Sequence, residues 1–64
     1  MDNVEIFNRL LIAKDEFNKL KVNKVYVARL IAENDFEEEV FERLSYDKLY
    51  NMTERKIKEF WEES

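Results

Sequence analysis

DFEEEVFERL, residues Asp35 to Leu44, sets Phe36, Val40 and Leu44 four residues apart, with Phe41 widening the apolar stripe. At about 100° per residue these side chains share one flank of a helix. Asp35 and Glu38 have the spacing of a capping box, Asp35 serving as N-cap. Glu37, Glu38 and Glu39 fall in the first turn, where the helix dipole favours negative charge. Glu39 and Arg43 form an i,i+4 pair in the better order, while Glu38 and Glu42 repel. A helix is therefore predicted from Phe36 to Leu44. Its apolar stripe faces the core and Glu37, Glu38, Glu39 and Glu42 form an acidic outer patch.

Upstream, Val22 to Ile31 is rich in residues that favour a strand by propensity. Asn23, however, can cap a helix, and Val22 and Val27 have hydrophobic-staple spacing. A lone strand would also lack a partner in this chain, so a helix is predicted from Lys24 to Glu33. Asn34 is expected in the left-handed position that glycine usually fills after a helix. Further back, Ile6, Leu10, Ala13, Phe17 and Leu20 follow a four-three-four-three spacing, which predicts a first helix from Asn3 to Leu20. Asp2 with Glu5, and Met1 with Ile6, have capping-box and staple spacing at its start. A second row, Val4, Phe7 and Leu11, widens its apolar arc and is a candidate face for self-association.

Downstream, Ser45 to Met52 shows no clear stripe and is expected as a loop with one turn, the alternative being a continued helix that aligns Tyr46 and Tyr50. Thr53 then caps a short last helix, Glu54 to Glu63, whose apolar face is Ile57, Phe60 and Trp61. The expected fold is all-α: a small bundle of three main helices plus a short fourth helical element, one domain over residues 1–64. The expected core is Ile6, Leu10, Phe17, Leu20, Leu30, Ile31, Phe36, Val40, Leu44, Ile57 and Phe60.

Composition narrows the chemistry. The chain has no histidine and no cysteine, so the commonest bases and nucleophiles are missing. Sixty-four residues seldom enclose a site that excludes water. No enzyme, no metal site and no cofactor are expected. Glycine and proline are absent, which removes Gly-rich phosphate loops and primed hairpin turns. No apolar run approaches the roughly 20 residues of a membrane span, and the N-terminus lacks a signal-peptide pattern. A cytoplasmic location is expected. The wealth of Lys, Asn, Ile and Phe beside absent Gly and Pro fits an AT-rich genome, such as a low-GC bacterium or its phages.

The net charge is −4, and it is unevenly placed. Lys14 to Arg29 is basic, with Lys14, Lys19, Lys21, Lys24 and Arg29, whereas Leu30 to Asp47 is strongly acidic. Val27 to Ala32, a short turn and the next helix loosely resemble a helix-turn-helix. That resemblance implies DNA binding through Lys19, Lys21, Lys24 and Arg29. The reading helix would then present Glu37, Glu38, Glu39 and Glu42 to phosphates, so nucleic acid is disfavoured.

The expected function is a small non-enzymatic protein-binding regulator or inhibitor, encoded by a phage or other mobile element. Its partner would be a protein with a basic surface. The acidic patch and the aromatic residues Tyr46, Tyr50 and Trp61 would carry the contact. The alternatives are a homo-oligomeric structural module using Val4, Phe7 and Leu11, and the DNA-binding module.

Overall fold

The computed structural model describes residues 3–63, of Glu63 the backbone alone. The described residues are all-helical, with four helices and no strand. They are α1 (Asn3–Glu16), α2 (Lys24–Ile31), α3 (Asp35–Glu42) and α4 (Tyr46–Glu63). The proposed capping by Asp2 and the staple from Met1 lie outside the described residues.

Helix α1 stops at Glu16 rather than Leu20. The next three amides bond three residues back: Phe17 to Lys14, Asn18 to Asp15 and Lys19 to Glu16. This tightening of the last turn breaks the four-three seam. Leu20, expected in the core, is consequently fully exposed. The Glu16 carboxylate fixes the connection that follows. It accepts the Asn23 backbone N–H at 3.0 Å and pairs with Lys19 at 2.9 Å.

Asn23 caps α2, its side-chain oxygen accepting the Tyr26 N–H at 3.1 Å. The helical reading of this β-branched stretch holds because the cap and tertiary burial outweigh strand propensity. Val27 and Ala28 are fully buried, and Val22 packs against the same core. The helix ends at Ile31, two residues short of expectation, because Ala32 turns to an extended conformation.

Asn34 is not left-handed; no described residue has positive φ. It sits at φ −157° and ψ 173° as the N-cap of α3, accepting the Glu37 N–H at 2.8 Å. The cap is thus Asn34, and Asp35 begins the helix. Glu37, at the third helical position, reaches back to the Glu33 N–H at 3.0 Å. Asn34→Ala should cost about 1 kcal/mol, the usual effect of losing a side-chain cap. Asp35→Ala should cost less than about half of that. Urea titrations followed by helical circular dichroism compare the two, and equal losses would restore Asp35 as the cap.

Helix α3 buries a different ridge from the one expected. Phe41 is buried and Leu44 partly so, while Phe36 is 75% exposed and Val40 41%. The reason is position: α3 packs chiefly on α2, so one eight-residue helix at the edge can bury only one of its two apolar ridges.

Helix α4 is the longest, at 18 residues, not a short last element. The expected loop from Ser45 to Met52 is its first half. Ser45 starts it, the hydroxyl accepting the Lys48 N–H at 3.3 Å. Thr53 is not a cap; it is fully buried mid-helix, and its hydroxyl donates to the Leu49 carbonyl at 2.9 Å. That bond satisfies the one polar group on the core-facing stripe Leu49, Thr53, Ile57 and Phe60, of which the last two are partly buried.

Helix α2 touches each of the other three, and α1 and α4 also pack together. The core where they meet is Leu10, Ala13, Val27, Ala28, Ile31, Phe41 and Leu49. Ala13 and Ala28 carry only a methyl group, which permits close approach of α1 and α2. Ile6, Phe17, Leu30, Ile57 and Phe60 line its margin. The whole measures 31 × 25 × 16 Å, so the core is thin along one direction.

Candidate interaction site

Two residue sets that are far apart in sequence meet on the α1–α4 side. Val4, Phe7 and Leu11 share a face of α1 by their three- and four-residue spacing. The Phe7 ring stacks on Phe60 at 5.1 Å between centroids and meets Trp61 edge-on at 5.4 Å. Such pairs contribute about 0.5–1.5 kcal/mol beyond their buried area. Phe7 is thereby engaged within the domain. Val4 and Leu11 remain exposed on the same face, and so does Trp61. The result is one apolar surface: Val4, Leu11 and Trp61 around a Phe7–Phe60 floor.

Tyr46 and Tyr50 do not join Trp61. Fifteen residues of α4 separate Tyr46 from Trp61, about 22 Å along the axis at 1.5 Å per residue. The tyrosines instead line a shallow depression with Phe17, Val22 and Asp47. Phe17 meets Tyr50 edge-on at 5.1 Å, and the Lys24 ammonium lies 5.1 Å above the Tyr46 ring. The Tyr50 hydroxyl donates to Glu54 at 2.6 Å, and Lys14 pairs with the same carboxylate oxygen at 3.3 Å. The hydrogen bond to the Glu54 carboxylate raises the Tyr50 pKa above its ordinary 10.0. The same bond, with help from Lys14, lowers that of Glu54. Tyr50 therefore ties α4 to α1 as well as facing solvent.

The acidic patch divides. Glu37 lies 3.6 Å from Lys56, whose ammonium also stands 5.6 Å from the Phe41 ring centroid. Glu38 pairs with Arg29 of α2 at 3.5 Å. Glu39 and Glu42 have no ion pair among the described residues, and Asp35 has none either. Of the acidic segment, Glu38 is met by Arg29 of the basic one and Glu33 and Glu37 by Lys56 of α4, whereas Lys14 and Lys19 pair outside it, with Glu54 and Glu16. No group of three His, Cys, Asp or Glu side chains among the described residues is arranged as a metal ion would need.

A cleft of about 430 Å³ opens between α1, the end of α2 and α4. Ile6, Leu10, Leu30, Ile31 and Phe60 form its apolar wall, and Arg9 and Lys56 reach its rim. Arg9 is partly occupied, donating to the Arg29 carbonyl at 2.6 Å. Lys56 is partly occupied too, through Glu33 and Glu37. No local pattern could have signalled this cleft, because it depends on how three helices splay.

No helix among the described residues is long and apolar enough to cross a membrane. Comparison with protein-family models, with curated proteins and with solved structures gives no match to this chain.

Proposed function

We propose that this chain is a small cytoplasmic, non-enzymatic protein-binding regulator or inhibitor. The observation that carries the reading is the α1–α4 surface, where Trp61 is 63% exposed and Val4 70% exposed beside an aromatic floor. Contiguous exposed apolar side chains mark interaction sites on small domains, and tryptophan is enriched among the residues that dominate binding energy. The lack of histidine and cysteine supports a binding role over a catalytic one. The wealth of Lys, Asn, Ile and Phe beside absent Gly and Pro supports a low-GC bacterial host or its phage as the setting.

Affinity purification from such a host tests the reading, comparing the native chain with Trp61→Ala and Leu11→Ser. Loss of a dominant contact costs about 2 kcal/mol or more, roughly a thirtyfold weakening. A specific partner should therefore be lost by both variants and kept by Leu20→Ser, which alters a side chain outside the surface. Equal recovery by all four chains would refute the role of this face.

A further inference from the structure

The outer face of α3 carries a second apolar surface, and its surroundings indicate what would cover it. Phe36 is 75% exposed and Val40 41% exposed. They stand one helical turn apart, so they form a single ridge. At 100° per residue, Glu39 adjoins the ridge about 60° from Phe36, and Asp35 and the half-buried Glu42 follow on the same side at about 100° and 120°. None of these three acids has an ion pair among the described residues, whereas Glu37 and Glu38 on the inner flanks are paired with Lys56 and Arg29. The domain therefore pairs the acids of α3 that flank its buried side and leaves Glu39, beside the exposed ridge, and Asp35 and Glu42 beyond it without an ion pair. Arg43 lies on this face at the C-terminal end of the ridge, and with the three acids the local balance is still −2. Helix α3 packs chiefly on α2, and on its outer side Asp35, Phe36, Glu39, Val40 and Arg43 are exposed.

We propose that this face docks a basic amphipathic helix of a partner protein. Apolar anchors of that helix rest on Phe36 and Val40, and its lysines or arginines lie over Asp35, Glu39 and Glu42. Apolar ridges select such segments by anchors spaced at one helical turn, and complementary charge sets orientation and partner choice. An acidic partner or an anionic membrane meets repulsion at the same place. The inference rests on the protein-binding reading above but uses a different surface, so the two can fail separately.

The test uses the full chain, labelled with ¹⁵N, and a synthetic helical peptide of leucine and lysine at amphipathic spacing. Two control peptides replace every lysine by glutamate or every leucine by serine. The Leu/Lys peptide should shift amide resonances from Asp35 to Arg43 and leave Val4, Leu11 and Trp61 unmoved. Phe36→Ser with Val40→Ser should weaken binding at least tenfold, and so should Glu39→Lys with Glu42→Lys. All four side chains are exposed or half-buried, and unchanged spectra elsewhere confirm that each variant is folded. Neither control peptide should bind at the α3 face. Shifts centred on the α1–α4 surface, equal binding by the serine peptide, or no localised shift would each overturn the proposal. If Trp61→Ala still abolishes partner recovery when the α3 site fails, only the α3 site is lost.

Discussion

Leu49→Ala is expected to cost about 2–5 kcal/mol, the range for truncating a well-packed core leucine. Leu49 is fully buried and belongs to the cluster that joins α4 to α1 and α2. A single small core rarely supplies more than about 3–5 kcal/mol in total at this chain length. The variant should therefore be largely unfolded at 25 °C, with most of its helical circular dichroism lost before urea is added. Leu20→Ala is the matched control. Leu20 is fully exposed, so its urea midpoint should stay at the native value. The opposite ranking would mean that the first turn of α4 is unpacked and that α1 extends to Leu20.

The second large effect is expected in acid. Glu16 is 4% exposed, and its hydrogen bond from Lys19, followed by that from the Asn23 amide, lowers its pKa below the ordinary 4.5. The unfolded chain, with Glu16 near 4.5, takes up the proton more readily than the folded one. The contribution of Glu16 is therefore complete above the unfolded value and is lost as pH falls through the folded value. Stability should fall from pH 7 to pH 3, with Glu54 adding in the same direction. Glu16→Gln should be weaker than the native chain at pH 7 and should lose less between pH 7 and pH 3. Lys19→Met removes the largest cause and should raise the Glu16 pKa toward 4.5 while the Asn23 bond remains. Urea midpoints at the two pH values measure all three chains. An unchanged pH difference in Glu16→Gln would show that the carboxylate does not hold the connection.

The helical class and the cap at Asn23 were legible because they depend on local spacing. Asn23 lies between the staple residues Val22 and Val27; it caps α2, and both valines pack in the same core. Other readings failed where tertiary placement decides. Residues 35–44 offer two apolar ridges, and only the partner helix determines that Phe41 is buried and Phe36 is not. Thr53 looked like a cap because threonine usually serves at helix ends. In the folded chain it is an interior residue whose hydroxyl is satisfied one turn back. Reading it as a boundary cut the stripe of α4 in two and hid Leu49. Ala13 was visible in the α1 seam, but Ala28 was not, since a small residue at a close helix crossing carries no hydrophobic signal of its own. At the candidate sites, Trp61 and the Val4 row were each legible, whereas their meeting across α1 and α4 was not. The inward neutralisation of Glu37 and Glu38 likewise depends on Lys56 and Arg29, which lie on other helices.

The connections between the four helices contain no glycine, no proline and no left-handed residue. Without an X–Pro bond, refolding has no isomerisation step of tens of seconds to wait for. Three of the packed pairs involve α2, and two of those join helices adjacent along the chain. Such pairings form early, because little chain must be closed to make them. The return of α4 to lie against α1 closes the longest intervening chain of the packed pairs, so it carries the largest loop-closure cost. Leu49 in the core and the Phe7–Phe60 stack are among the contacts that hold α4 in place in the finished domain.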